Sequence, residues 1–243
     1  MAIKKIRAIV IRTTPYSETS VILTCFTDSL GVQTYMINGV RSGKGSIRPS
    51  HLLPLNLIEL DAYHQPNKNM QRIKELKCQP VLTDLHFNRL KSSIALFVAE
   101  VLGRLLKEEN HTDAATFEFI YSSIQILDMT QEGVVNFPIV FLAHFSRYLG
   151  FFPKLNADEM NNAFHLQEGE FMPYHPSEIY MMDIMTSKKF YELLSIPHNQ
   201  FAASQTDYAT RKKLLEYLLD YYRLHVQVSF DIHSHHVLNE VLS

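Results

Sequence analysis

Apolar residues follow two different periods along the chain. In the first 78 residues, short runs rich in β-branched and apolar side chains alternate with turn-forming residues, which is typical of strands. From Pro80 onward, apolar residues recur every three to four positions, which is typical of helices with one buried face. The pattern therefore predicts a β-rich first part followed by a helical second part.

The first part is expected to contain five short strands. They are predicted at residues 5–13, 19–27, 32–38, 55–63 and 70–78. The turn-forming residues at 28–31 and the segment 64–69, which contains Pro66 and two asparagines, predict hairpins between neighbouring strands. Five strands of this length are too few for a typical sandwich. They match a small closed barrel of the oligonucleotide/oligosaccharide-binding type, the OB-fold.

The second part is expected to be all-helical. Helices are predicted at residues 89–109, 112–129, 134–150, 186–196 and 206–226. Thr112 or Asp113 is a suitable cap for the start of the second helix, and Gly150 can follow the third in a left-handed conformation. The predicted fold class is therefore α+β, with an OB-fold domain at 1–79 and a helical domain at 80–243.

Composition narrows the class of protein. An apolar content of 46% and a charged content of 20% indicate a folded globular chain. The N-terminus lacks the long apolar segment and cleavage site of a signal peptide, and no run reaches the ~20 apolar residues of a membrane helix. We therefore expect a cytoplasmic protein without a membrane partner. Cys25 and Cys78 are expected to be buried, reduced thiols.

The net charge of −2 conceals an asymmetry between the two parts. Residues 1–77 contain eleven basic and five acidic residues, a net charge of +6, whereas the remainder contains twelve basic and twenty acidic residues, a net charge of −8. A basic part joined to an acidic part suggests two domains with different partners.

The segment 38–54, "NGVRSGKGSIRPSHLLP", is the most informative loop. It combines three glycines with three cations, Arg41, Lys44 and Arg48. It is not a nucleotide-binding P-loop, because Lys44 is followed by glycine rather than serine or threonine. A flexible backbone with several cations suits contacts with nucleic-acid phosphates, and the alternative is a solvated, flexible loop.

Other cations on the predicted barrel could extend this DNA-binding surface. They lie on the first and last predicted strands and comprise Arg7, Arg12, Arg72, Lys74 and Lys77. Four aromatic residues are candidates for stacking on bases, although each is equally suited to the core: Tyr16, Phe26, Tyr35 and Tyr63.

Signals for catalysis and for bound cofactors are weak. The chain has twelve histidines but neither "HExxH" nor "GxSxG", so we expect no enzyme activity and no cofactor. The "HSHH" segment 233–236 is more typical of a surface than of a metal site. "RKK" at 211–213 is either a solvated helix face or a contact for acidic protein tails or DNA. Packing roles are expected for His144, Met181, Met182 and Met185.

The order and spacing of several segments resemble a known family. "IVIRTTPYSETSVILTCFTDSLGVQTYMINGVR" (9–41) is similar to the N-terminus of RecO, the bacterial recombination mediator family. "LLPLNLIEL" (52–60) is similar to a following strand of that family, and "FLAHFSRYLGFFPKL" (141–155) to a helix that ends in "LG" and a proline. The resemblance is carried by the set of segments, since no single motif is specific.

The resemblance implies an N-terminal OB domain and a C-terminal helical domain. It also implies binding to single- and double-stranded DNA, strand annealing without covalent catalysis, and a nucleoid-associated location. The implied partners are RecR, RecF in some lineages, and the acidic tail of the single-stranded DNA-binding protein. For that tail, the candidate contacts are Arg211, Lys212 and Lys213, or else Arg104 and Lys107.

The chain departs from the RecO pattern in two places. Many members carry a four-cysteine zinc site after the "LG…P" helix end, whereas segment 152–176 has no cysteine and retains His165, His175 and several carboxylates, which make a poor structural zinc site without thiolates. Packing is expected to replace the metal, with "EGEF" (168–171) turning a small hairpin. The candidate packing residues are Phe164, Leu166, Phe171, Met172 and Tyr174. The second departure is "HSH" (233–235), where many relatives are basic, so a contact there would be weaker or pH-dependent.

Two functional hypotheses therefore remain open. The first is a DNA repair and recombination mediator that binds and anneals DNA and helps load recombinase with RecR. The alternative is an adaptor whose barrel and helical domain bind only protein, which the −8 charge of the second part keeps open. A hydrolase or transferase acting on RNA is disfavoured by the missing catalytic motifs.

Overall fold

The computed structural model describes residues 2–42, 45–65, 68–106, 113–155 and 162–241. The chain forms two compact units, an N-terminal unit at 1–128 and a C-terminal unit at 129–243. The domain boundary predicted between residues 79 and 80 stays a prediction. Within the described residues, no helix combines the length and apolar composition needed to span a membrane.

A closed five-stranded barrel opens the N-terminal unit, which confirms the predicted barrel. Its strands are β1 (Ala2–Pro15), β2 (Val21–Thr27), β3 (Gly31–Ile37), β4 (Leu57–His64) and β5 (Gln71–Cys78). The strand order is β1-β2-β3-β5-β4, and the sheet closes through antiparallel pairing of β1 with β4. The β3–β5 pair is parallel and short, with Tyr35 opposite Gln71 and Met36 opposite Arg72.

The barrel interior is filled by alternate residues of each strand. On β1 these are Ile6, Ala8 and Val10, which belong to the same buried cluster as Leu23 of β2 and Leu60 of β4. Both cysteines are unpaired: Cys25 lies in the core and Cys78 is half-buried. The β-branched and apolar runs that predicted the strands thus supply the side chains that fill the barrel.

A β-bulge interrupts β1 next to its most exposed arginine. Val10 pairs with Cys25 and Arg12 pairs with Thr24, so Ile11 is an extra residue in β1. Ile11 is buried and Arg12 is exposed. Because of the bulge, the buried Ile11 and the exposed Arg12 follow Val10, the last β1 residue of the cluster that fills the barrel.

Two helices of the N-terminal unit follow the barrel, α1 (Arg89–Leu105) and α2 (Ala114–Met129). The rings of Phe26 on β2 and Phe117 on α2 lie 5.8 Å apart. α1 packs on β1, and a Cβ added at Gly103 would lie 3.2 Å from the Cγ2 atom of Ile11. The expected cap at Asp113 is confirmed, because its carboxylate accepts the N–H groups of Ala115 and Thr116. Thr112 lies outside the described residues.

Asp128, near the end of α2, binds the segment that leads into α1. Its carboxylate accepts the backbone N–H groups of Thr83, Asp84 and Leu85 at 3.0, 2.9 and 2.7 Å. The fully buried Lys91 donates to the Oδ2 atom of Asp84 at 2.6 Å and to the carbonyl of Asp128 at 2.7 Å. The carboxylate of Asp128 thus accepts the N–H groups of the neighbouring segment, and the ammonium group of Lys91 has hydrogen-bond acceptors although it is buried.

The C-terminal unit is helical apart from one small hairpin. Its elements are α3 (Phe137–Phe145), β6 (Ala163–His165), β7 (Glu170–Met172), α4 (Ile184–Ser195), α5 (Tyr208–His225) and α6 (Ser234–Val241). The helix predicted at 134–150 is shorter than expected, because a 3₁₀ turn precedes it and irregular turns follow it. Gly150 has the expected left-handed backbone, with φ of 88°. Helix α6 was not predicted.

The cysteine-free segment does contain a hairpin, whose turn is two residues earlier than expected. Residues 166–169 form the turn, and β7 begins at Glu170. The ring of Phe164 lies 5.1 Å from Phe171, 5.0 Å from Phe190 and 5.4 Å from Tyr221. This aromatic cluster confirms that apolar packing supports the segment.

Several packing predictions can be compared with the observed burial. Leu166 is buried and Met172 is half-buried, whereas the prediction for Tyr174 is wrong because 40% of it is exposed. Met181 and Met182 are buried as expected. The prediction for Met185 is wrong, since it lies on the outer face of α4 with 75% exposure.

His144 packs as predicted. Its Nε2 atom lies 3.1 Å from the carbonyl of Ile196, and its ring faces that of His198 at 6.1 Å. Burial, and then repulsion from His198, lowers the pKa of His144 to about 4. The neutral ring is therefore the form that this packing favours near neutral pH.

Candidate nucleic-acid interface

The glycine-rich loop begins where β3 ends and runs to a 3₁₀ turn at Pro49–Leu52. Gly39 has a left-handed backbone with φ of 76°, which turns the chain away from β3. The amide of Arg41 donates to the carbonyl of Thr19 at 3.2 Å, and its Nη1 atom to the carbonyl of Ser17 at 3.2 Å. The loop is thus attached to the β1–β2 connection at one residue. Gly43 and Lys44 lie outside the described residues.

Arg48 ends the loop on an ordered turn. Its amide donates to the Nδ1 atom of His51 at 3.3 Å, and its carbonyl accepts the amide of His51 at 3.0 Å. Arg41 and Arg48 are both exposed. The structure therefore holds two of the three predicted loop cations at anchored, exposed positions.

A groove of about 1090 Å³ lies beside this loop in the N-terminal unit. The barrel lines it with residues such as Arg12, Thr24 and Val32 of β1 to β3, and the loop adds Val40 and Arg41. Helix α1 forms the opposite wall with Leu96, Ala99, Glu100, Gly103 and Arg104. Three arginines and one glutamate thus surround a mainly aliphatic floor.

The groove joins residues that the sequence placed in separate groups. Arg12 was a strand candidate, Arg41 a loop candidate and Arg104 a partner-binding candidate. Leu96 and Glu100, which share a face of α1 with Arg104, were not singled out. Their i, i+4, i+8 spacing was a visible signal, because residues four apart lie side by side on a helix. Lys107, the other candidate of that pair, lies outside the described residues.

Arg7 is already engaged within the barrel unit. Its guanidinium forms ion pairs with Asp28, at 3.3 Å, and with Glu118. It also lies 5.3 Å from the ring centroids of both Phe117 and Tyr121. The hydrogen bond that Arg7 donates to Glu118 is the main cause of the raised pKa of Arg7. Arg7 therefore has a clear structural role within the barrel unit.

The β5 cations occupy a different part of the barrel. Arg72 and Lys74 are exposed, and Arg72 lies opposite Met36 of β3 and Tyr63 of β4. Lys77 lies 3.1 Å from Glu59, and the hydrogen bond it donates is the main cause of the lowered pKa of Glu59. Neither Arg72 nor Lys74 lines the groove.

Burial separates the four aromatic candidates. Phe26 and Tyr35 are buried, and Tyr63 is half-buried. Tyr16 is 61% exposed and precedes Ser17, whose carbonyl accepts a hydrogen bond from Arg41. Tyr16 is therefore the candidate with a ring free enough to stack on a base beside the loop.

Comparison with known proteins agrees with this architecture. The family model for the N-terminal domain of recombination protein O matches residues 1–80, and that for its C-terminal domain matches residues 86–231. The chain belongs to the RecO family. The DNA repair protein RecO of Flavobacterium psychrophilum is 30% identical to it over 240 residues, covering 98% of this chain and 99% of the relative.

Other members of the RecO family are similarly close. The DNA repair protein RecO of Azobacteroides pseudotrichonymphae is 30% identical and covers 98% of both chains. That of Phocaeicola vulgatus is 30% identical and covers 99% of this chain and 100% of the relative. Membership of the RecO family supports a role in DNA repair and recombination.

The three cations at 211–213 differ in their surroundings on α5. Arg211 is half-buried and donates from Nη1 to the carbonyl of Thr206. Burial is the main cause of its lowered pKa. Lys212 is exposed, and the Nζ atom of Lys213 lies 3.6 Å from Asp183. Asp183 therefore balances part of the positive charge of residues 211–213.

Potential metal ligands are dispersed in the described part of the chain, where no three His, Cys, Asp or Glu residues form a metal-binding group. In the segment where many RecO relatives carry zinc, the Nδ1 atom of His165 accepts the amide of Glu168 at 3.2 Å, and Nε2 lies 3.6 Å from Glu178. His175 is exposed. In "HSHH", the Nδ1 atom of His235 is 2.5 Å from the carbonyl of Ile232.

We expect the purified protein to contain no stoichiometric zinc and to melt at the same temperature with and without chelator. The physical reason is that the Phe164 cluster, rather than thiolate ligands, supports segment 152–176. Elemental analysis and melting in chelator test this. About one zinc per chain, or a lower melting temperature in chelator, would contradict it.

Proposed function

We propose that this RecO-family chain binds single- and double-stranded DNA through the loop 38–48 and the adjoining barrel surface. The observation that carries the proposal is a set of exposed cations: Arg41 and Arg48 lie on the loop, and Arg12 lines the groove together with Arg41. Such cations bind phosphates without reading base sequence. Sequence-independent binding is what a protein that anneals arbitrary complementary strands requires.

The proposed activity is strand annealing without covalent catalysis. A protein that holds two strands and then releases the duplex needs binding surfaces alone. With RecR as partner, and with RecF in addition, it would help load recombinase at a nucleoid-associated site. The net charge of +6 in residues 1–77 supports a DNA-binding barrel domain.

A salt titration of the wild-type protein tests DNA binding. Affinity for a fluorescent single-stranded oligonucleotide should fall steeply between low and physiological salt, with a logarithmic slope of about 0.7 per phosphate contacted. No binding at low salt would favour the adaptor hypothesis, in which barrel and helices bind only protein. That second candidate is favoured by one observation, the net charge of −8 after residue 77.

We further propose that "RKK" at 211–213 contacts the acidic tail of the single-stranded DNA-binding protein. The charge reversal Lys212→Glu with Lys213→Glu is expected to weaken the binding of a tail peptide severalfold, because both ammonium groups belong to exposed residues. Fluorescence anisotropy with the labelled peptide measures this. Reversal of Lys188, an α4 cation outside the cluster, is the control. Unchanged affinity would move the tail site elsewhere.

A further inference from the structure

The turn between β1 and β2 presents an aromatic ring to solvent. Tyr16 follows Pro15, the last residue of β1, and is 61% exposed, more than any other tyrosine in the described part of the chain. An aromatic side chain usually contributes to stability through the area that it buries, and Tyr16 buries little. The fold therefore leaves most of this residue accessible to a ligand.

Hydrogen bonds fix the backbone that carries the ring. The amides of Tyr16 and Ser17 donate to the carbonyl of Ser20 at 3.0 and 3.3 Å, and the amide of Ser20 donates to the Oγ atom of Ser17 at 3.1 Å. The Oγ atom of Ser20 donates to the Oδ1 atom of Asn38, at the start of the glycine-rich loop, at 3.0 Å. A side chain on an ordered turn loses less entropy when it binds a ligand. The turn thus holds Tyr16 in a preorganised position.

Arg41 places a cation beside the same turn. Its amide donates to the carbonyl of Thr19, and its Nη1 atom donates to the carbonyl of Ser17, both at 3.2 Å. A guanidinium carries several N–H donors in a planar fork, so the bond to Ser17 leaves other donors for a phosphate. The backbone of one DNA strand can therefore contact Arg41 while a base of that strand contacts Tyr16.

The two contacts respond differently to base pairing. Phosphates are exposed in single strands and in duplexes alike, so a cation binds both. An aromatic ring needs the open face of an unpaired base, and in a duplex the neighbouring base pairs cover those faces. Among the described residues that line the groove, none is aromatic. Tyr16 is thus the exposed ring attached to the loop that carries the cations.

We infer that Tyr16 stacks on an unpaired base, and that this contact strengthens binding to single strands without strengthening binding to duplex. The inference rests on the proposed DNA binding and names the residue that distinguishes the two forms of DNA. When a complementary strand pairs, the stacked base returns to the duplex and the ring loses its partner. The protein then holds the product through phosphate contacts alone, which favours release after annealing.

The test compares three DNA ligands by anisotropy with the full chain: oligothymidylate, an abasic strand of the same length, and a duplex. Tyr16→Ala should weaken oligothymidylate binding about tenfold and change the affinity for the abasic strand and the duplex less than about twofold. Tyr16→Phe should keep the wild-type affinities because the ring remains. Tyr174→Ala, which removes a ring that is 40% exposed in the C-terminal unit, is the matched control and should change none of them.

The salt dependence separates stacking from charge. Stacking releases no condensed counterions, so Tyr16→Ala should keep the wild-type logarithmic salt slope although the affinity falls. Arg41→Ala should instead lower the slope for single strands by about 0.7. Tyr16→Ala should melt at the wild-type temperature, because the residue is exposed. A lower melting temperature, with binding of all three ligands weakened equally, would show a structural role and overturn the inference.

The outcomes also separate this inference from the proposed function. A wild-type protein that binds neither single strands nor duplex at low salt would overturn both. If the wild-type protein binds single strands and duplex, but binds oligothymidylate no more tightly than the abasic strand, DNA binding stands and the stacking contact is wrong. The same conclusion follows if Tyr16→Ala leaves oligothymidylate binding unchanged. A loss confined to ligands with unpaired bases, reversed in Tyr16→Phe, would establish the contact.

Discussion

Replacing Arg41, Lys44 and Arg48 together with alanine is expected to flatten the salt dependence of single-strand binding. If each cation neutralises one phosphate, the logarithmic slope should fall by about two, at ~0.7 per phosphate. Folding stability should hardly change, because Arg41 and Arg48 are exposed. The measurement is an anisotropy titration of the triple variant at several salt concentrations, together with its melting curve.

A matched control distinguishes the loop from the general charge of the barrel. Arg72→Ala with Lys74→Ala removes exposed cations from β5 at a distance from the loop in sequence, and neither residue lines the groove. This double variant should change the slope less than the triple variant. A triple variant that melts normally and keeps the wild-type slope would disprove the loop site and point to the barrel face around Arg12 and Arg72.

Among the substitutions proposed here, Asp128→Ala is expected to lower the free energy of unfolding most, by roughly 3 kcal/mol or more. Its carboxylate accepts three backbone N–H groups at the start of the segment that leads into α1. Hydrogen bonds to a charged group contribute more than neutral ones, and alanine leaves partly buried donors without an acceptor. Urea unfolding of the variant and the wild type gives the difference in free energy.

Two further substitutions test this explanation. Asp128→Asn keeps one acceptor oxygen and should cost less than alanine. Asp113→Ala removes the exposed cap of the same helix and should cost about 1 kcal/mol. A cost for Asp128→Ala no greater than that of Asp113→Ala would show that the three hydrogen bonds matter little.

The stability contributed by Asp128 should also depend on pH. Burial raises the pKa of its carboxyl. The hydrogen bonds from the N–H groups of Asp84, Thr83 and Leu85 together lower that pKa by more, so the folded pKa lies below the ordinary value of 3.8. A group with a lowered folded pKa stabilises the fold above its unfolded pKa and loses that contribution as pH falls through the folded pKa. The difference between wild type and Asp128→Asn should therefore shrink in acid.

The strands could be predicted because each one carries its own evidence. The runs that predicted β1 and β2 are rich in β-branched and apolar residues, and turn formers separate β2 from β3. The Asp128 network could not be predicted, because its N–H donors lie more than forty residues earlier in the chain. Nothing in the local sequence distinguishes Asp128 from a surface carboxylate at a helix end.

The candidate site likewise contains residues that the sequence could predict and residues that it could not. Arg41, Lys44 and Arg48 are close in sequence and stand out beside glycines. The groove depends on barrel closure, on the bulge that precedes Arg12 and on the packing of α1 against Ile11. Arg7 was predicted as a DNA contact from its position on a strand, but that position does not reveal its ion pairs with Asp28 and Glu118. Met185 was misassigned because an apolar side chain need not be buried.

The apolar outer side of the barrel limits how the chain can be divided for biochemical work. Ile9, Phe26 and Leu57 are fully or almost fully buried, yet they lie outside the cluster that fills the barrel interior. A fragment ending at residue 79 would lack α1 and α2 and expose such side chains to water, which promotes aggregation. A fragment ending after Met129 retains both helices. Insoluble preparations of the shorter piece would therefore say nothing about whether its barrel binds DNA.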